Sequence, residues 1–169
     1  MGCIPMKQKN LWILVGLPGS GKSYWAKRFL NDNTVYISRD EIRFSVLEDG
    51  EDYFNKEGYV YSAFLRKIQE ALTNGYNVIA DATHLNWASR RKLIQHLVLV
   101  NVNVNCVVFK TSLEVCFQRN AGREGRAHVP EDVIYQMNRA KTHPLSDPYT
   151  YHMMKNIYED GSEEVITHG

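Results

Sequence analysis

Apolar and polar positions along the chain repeat with two periods, and these divide it into strands and helices. Leu11-Trp12-Ile13-Leu14-Val15 is a continuous apolar run that stops at glycine, the mark of a strand buried on both faces. Gly16 to Ser23 follows as a glycine-rich turn, and Trp25, Ala26, Phe29 and Leu30 then mark a helix stopping at Asn31-Asp32-Asn33. Val35-Tyr36-Ile37 predicts a second short strand, after which Ser38 and Glu41 have the S-x-x-E spacing of a helix start. Between Tyr53 and Leu72, the residues Val60, Phe64, Ile68, Ala71 and Leu72 recur at helical spacing, and Asn74-Gly75 closes that helix. Asn77 to Asp81 predicts a third strand ending in a carboxylate. Asn86 can cap a helix with Leu93, Ile94, Leu97 and Val98 on one face. A strand over Val102–Lys110, helices over Leu113–Arg119 and Val133–Ala140, and a last strand at Asn156-Ile157-Tyr158 complete the pattern. Strands separated by helices imply an α/β fold with a mostly parallel sheet and right-handed crossovers.

Composition removes several classes of protein. The 169 residues are 44% hydrophobic and 23% charged, which suits one domain able to fold around its own core. With 3 Trp, 10 Tyr and 6 Phe at a net charge of +1, intrinsic disorder is excluded. Apolar runs such as Leu11–Val15 fall far short of the roughly 18 residues of a spanning helix. The N-terminus does not read as a secretory or transit peptide, and Met6 stands where a myristoylation motif begun by Gly2 requires Ser or Thr. Cys3, Cys106 and Cys116 have neither the number nor the spacing of a disulfide framework or zinc site, so free thiols in a reducing cytoplasm are expected.

A near-neutral total argues against strong nonspecific nucleic-acid binding, but the charge is unevenly placed. Asp40–Glu57 holds seven acids against Arg43 and Lys56, whereas His84–Pro130 holds seven Lys and Arg against Glu114 and Glu124. Such opposition can draw an anionic ligand to one part of the surface, and it is equally compatible with solvated helix faces.

The strongest chemical signal is Gly16-Leu17-Pro18-Gly19-Ser20-Gly21-Lys22-Ser23, an uninterrupted G-x-x-x-x-G-K-S between an apolar strand and a helix. Glycines let the chain wrap tightly and turn successive N–H groups inward toward phosphate. Lys22 offers a mobile charge for β- and γ-phosphates, and the Ser23 hydroxyl can ligate Mg²⁺. Bound ATP with Mg²⁺ is therefore expected on Gly16, Pro18, Gly19, Ser20, Gly21, Lys22, Ser23 and the adjoining Tyr24. The guanine-reading N-K-x-D of GTPases is absent, since Asn55-Lys56 continues into Glu57-Gly58. A motor or transporter ATPase would normally need a larger chain.

Four segments together resemble the kinase domain of phage-type polynucleotide 5′-kinase and its small P-loop relatives. They are the P-loop with Tyr24-Trp25-Ala26, Ser38-Arg39-Asp40-Glu41-Ile42-Arg43 after the second strand, Asp81-Ala82-Thr83 ending the third, and Arg119-Asn120-Ala121-Gly122-Arg123 leading to Val129-Pro130. The resemblance covers about residues 11–140. It implies a P-loop NTPase fold of the nucleoside-kinase-like kind over residues 1–169, with a flexible N-terminus at 1–9 and a lid at about 119–130. It also implies transfer of the ATP γ-phosphate to a hydroxyl, with a polynucleotide or RNA 5′-hydroxyl as the leading acceptor.

By that resemblance Asp40 is the general base on the acceptor hydroxyl, and Arg43 binds the acceptor's phosphate. Both have plainer readings, Asp40 as an acid in a first helical turn and Arg43 as an exposed helix arginine. Asp81, at a strand's carboxyl end, would reach Mg²⁺ or its water shell beside Ser23. Thr83 holds substrate or supports Asp81. Arg123 is implied as the lid arginine on the transferring phosphates and Arg119 as a residue stacking on adenine; a guanidinium fork suits phosphate oxygens. Gly122 and Gly125 would let the lid move. Arg126 and His128 stand open between lid chemistry and a solvated loop, and the remaining histidines are expected at the surface.

The acidic stretch Glu48-Asp49-Gly50-Glu51-Asp52 would repel a nucleic-acid backbone near the acceptor entrance. A kinase of a small hydroxyl compound, such as a sugar, nucleoside or antibiotic, shares every nucleotide-side residue. A nucleotide-dependent switch with little catalysis would need Lys22 but not Asp40. No membrane partner is expected.

Overall fold

The computed structural model describes residues 7–125 and 128–166. In chain order the elements are β1 (Lys9–Val15), α1 (Lys22–Arg28), β2 (Thr34–Ser38), α2 (Arg39–Val46), α3 (Glu57–Thr73), β3 (Asn77–Asp81), α4 (Trp87–His96), β4 (Val102–Phe109), α5 (Leu113–Ala121), α6 (Glu131–Ala140), β5 (Met153–Ile157) and β6 (Glu163–Ile166). The sheet order is β2-β3-β1-β4-β5-β6. Its first five strands are parallel and β6 runs antiparallel to β5.

Why β1 is apolar without interruption follows from its central place. Leu11, Ile13 and Val15 face a core with Ile42 of α2, Phe64 and Ile68 of α3, and Leu93 of α4. Leu14 points to the other face, with Trp25 and Ala26 of α1, Ile79 and Val107. A third cluster of Leu17, Leu85, Cys116, Val129 and Ile134 ties the loops at the carboxyl end of the sheet to α5 and α6. That end is where the functional loops gather, as an open parallel sheet requires.

The helix starts follow their capping residues. Ser38 Oγ accepts from Glu41 N at 3.2 Å, Asn86 Oδ1 from Ser89 N at 2.9 Å, and Ser112 Oγ from Val115 N at 3.3 Å.

Boundaries moved where tertiary contacts outweigh local pattern. β1 takes in Lys9, which is buried and donates its amide to Asn101 O at 3.0 Å, so the ordered chain reaches into the stretch expected to be a flexible terminus. α1 ends at Arg28, and Phe29 and Leu30 lie beyond its last turn. α3 begins at Glu57 rather than Tyr53, because Lys56 turns the chain at φ 61°. β6 was not expected from the apolar pattern; Asp160-Gly161, with Gly161 at φ 85°, supplies the reversal before it. His84 corrects the expectation that the histidines lie at the surface: it is buried, its ring Nδ1 2.9 Å from Leu14 O. Cys106 and Cys116 are buried free thiols, and Cys3 lies outside the described residues.

Candidate active site

A cleft of about 650 Å³ opens where the loops after β1, β2 and β3 meet α5. One wall is the loop Gly16–Ser23. Gly19 sits at φ 82°, and a Cβ there would come within 2.8 Å of Cys116 O, so only glycine fits against α5. Gly21, at φ 98°, turns the chain into α1. Ser20 is buried, and its Oγ has no hydrogen-bond partner among the described residues. Tyr24 and Ser23 are exposed on the same wall.

Lys22 folds back over the loop and donates Nζ to Gly16 O at 3.0 Å and Leu17 O at 2.9 Å. Burial holds its ammonium below the ordinary lysine range; Asp81 and Asp40 oppose that effect and Arg123 adds to it. The β3 end lies directly beside it. Thr83 O accepts from Gly16 N at 3.0 Å, which ties the two loops together, and the Thr83 side chain lines the cleft. Asp81 is buried and its carboxyl is pushed above the usual range by burial, against the pull of Lys22. Tyr36 of β2 donates its hydroxyl to Asp81 Oδ2. Burial beside that carboxylate raises the phenol far above its ordinary value.

The opposite wall belongs to α2 and the start of α3. Asp40 and Arg43 lie one turn apart, and Arg43 Nη1 donates to Asp40 Oδ1. The same oxygen accepts from the Tyr53 hydroxyl at 2.7 Å. Arg43 is buried rather than exposed, and Glu57 holds it through Nε at 3.2 Å and Nη2 at 2.9 and 3.0 Å. Arg39 also pairs with Glu57 and stacks over the Tyr61 ring at 5.1 Å. Two arginines and two carboxylates thus form one connected patch. Sequence reasoning singled out Asp40 and Arg43 but missed Glu57 and Tyr53, which lie 14 and 10 residues beyond Arg43. The acid-rich stretch was the available signal.

Arg119 and Arg123 both line the cleft from the α5 side. Arg119 Nη1 donates to Gly19 O at 3.1 Å, which places its guanidinium on the P-loop. Asn120 Nδ2 donates to Val129 O at 2.7 Å and Val129 N donates to Asn120 Oδ1 at 2.9 Å, joining the end of α5 to the chain just before α6. Arg126 lies outside the described residues, and His128 is exposed. The structure therefore gathers Lys22, Ser23, Asp40, Arg43, Asp81, Thr83, Arg119 and Arg123 around one cleft.

Mg²⁺ suits this donor set. No group of three or more His, Cys, Asp or Glu side chains among the described residues could hold a metal alone. Mg²⁺ is characteristically held by one or two protein oxygens together with substrate phosphates and water, and Ser23 and Asp81 supply such oxygens beside the phosphate loop.

The sheet and this loop define a nucleotide-binding P-loop protein of kinase-like fold. Residues 11–144 match the family described as an AAA domain, and the chain belongs to that family. It is similar to L-seryl-tRNA(Sec) kinase of Methanococcus maripaludis, at 30% identity over 135 residues, covering 75% of this chain and 50% of that protein. The chain thus spans about half the length of that relative. Among solved structures it is similar to one in the Pnkp1/Rnl/Hen1 RNA repair complex, with a TM-score of 0.68 at 27% identity, over 79% of this chain and 44% of the other. Kti12 of Chaetomium thermophilum in complex with ADP-AlF3 shares the fold, with a TM-score of 0.56 at 16% identity over 89% of each chain. No helix among the described residues is long and apolar enough to cross a membrane.

Proposed function

We propose that the chain is an ATP- and Mg²⁺-dependent kinase that transfers the γ-phosphate to a hydroxyl, with a polynucleotide or RNA 5′-hydroxyl as the favoured acceptor. The observation that carries this reading is the placement of Asp40 across one cleft from Lys22 and the P-loop. Asp40 orients the acceptor hydroxyl and takes its proton as the bond to phosphorus forms. Tyr53 and Arg43 fix the carboxylate that does so. Lys22 exchanges its two carbonyl contacts for phosphate oxygens, Arg123 neutralises the charge that spreads over them in the transition state, and Arg119, implied to stack on adenine, stands on the P-loop at Gly19 O. Mg²⁺, held by Ser23 and Asp81 with the phosphates, would supply further charge neutralisation. Likeness to a seryl-tRNA kinase and to an RNA repair assembly supports the nucleic-acid acceptor.

One observation favours a small neutral hydroxyl compound instead: Glu57 already occupies both Arg39 and Arg43, the cations on the acceptor wall. Labelled γ-phosphate transfer to a 5′-hydroxyl RNA oligonucleotide, with Asp40→Asn protein as control, tests the proposal. Label that disappears in the control supports it. A labelled sugar or nucleoside in place of the oligonucleotide would move the assignment to the small acceptor, and no transfer to either would leave nucleotide binding as the activity.

A further inference from the structure

At the amino end of the strands, opposite the nucleotide cleft, lies a second cavity of about 230 Å³. Register places Trp12 of β1 beside Ile79 of β3 and Asn105 of β4, so these side chains share the sheet face that carries α1. The upper half of that face is apolar, with Leu14, Ile79 and Val107 packed against Trp25 and Ala26. The lower row is Asn77, Asn10 and Asn103, running across β3, β1 and β4, with Asn105 one position above it beside Trp12. Seven residues of α1 span about 10 Å, roughly half the length of β1, so the helix leaves this row uncovered.

Strands in a parallel sheet are ordinarily apolar on both faces, and four amides here occupy places where valine or leucine would pack. They form a connected layer. Asn10 N donates to Asn77 Oδ1 at 2.8 Å, and Asn105 Nδ2 donates to Asn10 Oδ1 at 3.2 Å. Asn10 and Asn77 of this layer line the cavity together with Asn31, while Asn105 lies behind them, fully buried and outside the lining, its Oδ1 without a partner among the described residues. Rings form the walls. Lys155 Nζ stands 5.6 Å from the centre of Trp12, 5.7 Å from Trp25 and 5.4 Å from Phe29. Among the described residues no acidic side chain lines the cavity; Glu163, which pairs with Lys155 at 3.3 Å, lies outside its lining.

We propose that this cavity binds a nucleobase carrying a phosphate, at a site separate from the P-loop. Aromatic faces stack on a base of any identity, amides pair with its polar edge, and the lysine meets the phosphate in exchange for Glu163. The volume falls below the 300–1,000 Å³ typical of pockets for whole drug-sized ligands, so it suits one base. A free nucleotide and a nucleotide within a single strand present the same chemistry.

The indole N–H signals of Trp12, which lines the cavity, and Trp25, which donates to Glu163 Oε1 at 3.4 Å, are followed in ¹⁵N NMR with the P-loop first saturated by ADP-Mg²⁺. AMP and a 5′-phosphorylated single-stranded oligoadenylate are the probes, and ribose 5-phosphate is the control without a base. AMP or the strand is expected to shift both indoles, and Lys155→Glu to weaken that binding at least tenfold. Asn77→Leu, which restores the packing residue expected in such a strand, weakens it similarly while keeping the fold. Binding by both probes supports a free nucleotide as sufficient ligand, and binding by the strand alone assigns the site to nucleic acid. Unmoved indoles with both probes at millimolar concentration, an equal shift with ribose 5-phosphate, or unchanged affinity in the folded Lys155→Glu and Asn77→Leu proteins would overturn the proposal.

Discussion

The hydroxyl of Tyr53 and the guanidinium of Arg43 converge on a single oxygen of Asp40, Tyr53 at 2.7 Å. Arg43 is itself anchored by Glu57. Asp40 is therefore held from two sides, while its side chain remains about half exposed toward the cleft. A residue that merely capped a helix would need no such support.

Replacing Asp40 by Asn keeps the shape and removes the proton acceptor. If Asp40 is the base, kcat falls by about 10²–10⁴-fold while ATP affinity stays within a few-fold. Tyr53→Phe removes one of the two contacts and leaves Arg43 in place. A loss of about two- to thirteenfold in kcat is expected, the range set by a hydrogen bond of about 0.5–1.5 kcal/mol. Steady-state kinetics alongside calorimetric ATP titration separate the two effects. A drop in ATP affinity as large as the drop in kcat would remove Asp40 from the chemical step.

Lys22 and Asp81 face each other but should fail differently. Lys22→Ala removes a charged donor to phosphate, and ATP is expected to bind about ten- to a hundredfold more weakly, from the roughly 1.5–3 kcal/mol of such bonds. Asp81→Asn keeps the acceptor for Tyr36 and loses the charge. Its signature is a higher Mg²⁺ concentration for half-maximal activity, with metal-free ATP bound as in the parent. Titrating Mg²⁺ at fixed ATP distinguishes them, and an unchanged Mg²⁺ dependence would take Asp81 out of the metal site.

Arg90 is the largest of the fully buried side chains, and its role is structural. Its Nε and Nη2 reach Asp147 at 2.7 and 2.8 Å, and Nη1 and Nη2 bind the carbonyls of His84 at 2.7 Å and Thr142 at 3.0 Å. It thereby fastens the segment after α6 to α4. Asp147→Ala leaves the guanidinium buried without its counter-charge, and a loss of about 3–5 kcal/mol is expected in urea unfolding. Pairing it with Arg90→Met should recover part of the loss. Additive losses in the double variant would show that the two groups are not coupled.

The sequence made the nucleotide side of the site legible because it is local. Strand, glycine loop and helix are contiguous, and the glycines are dictated by backbone geometry that composition reveals, as Gly19 against Cys116 O shows. Asp81 was legible as the acid ending an apolar strand. The acceptor side was less so, because Asp40 depends on Tyr53 and Glu57, which belong to a turn and another helix. The plainer reading of Arg43, an exposed helix arginine, could not be set aside from the sequence for the same reason: Glu57, which holds it, belongs to α3 and not to its own helix. β6 was hidden because an exposed edge strand carries no apolar run, its first three residues being exposed. His84 gave no pattern at all, since its burial follows from a φ of 43° that turns the ring beneath β1.

That histidine yields a pH dependence with a definite sign. Burial lowers His84 to about 4 from the ordinary histidine value of 6.5, despite the opposing contact with Leu14 O. Nearby Arg39, Lys22 and Arg90 push in the same direction as burial. The folded chain therefore resists protonation while the unfolded chain accepts it. Above about pH 6.5 both states carry a neutral ring and stability is unaffected. As pH falls from there toward 4 the unfolded state binds the extra proton and stability drops, levelling off below 4. A gap of about 2.5 pKa units corresponds to about 3 kcal/mol at most. His84→Asn suits the positive φ and can still donate to Leu14 O. Urea midpoints measured from pH 4 to 8 for both proteins are expected to converge as the pH falls, because only the parent carries this loss. Parallel curves across that range would mean that His84 takes up its proton as readily in the folded chain as in the unfolded one.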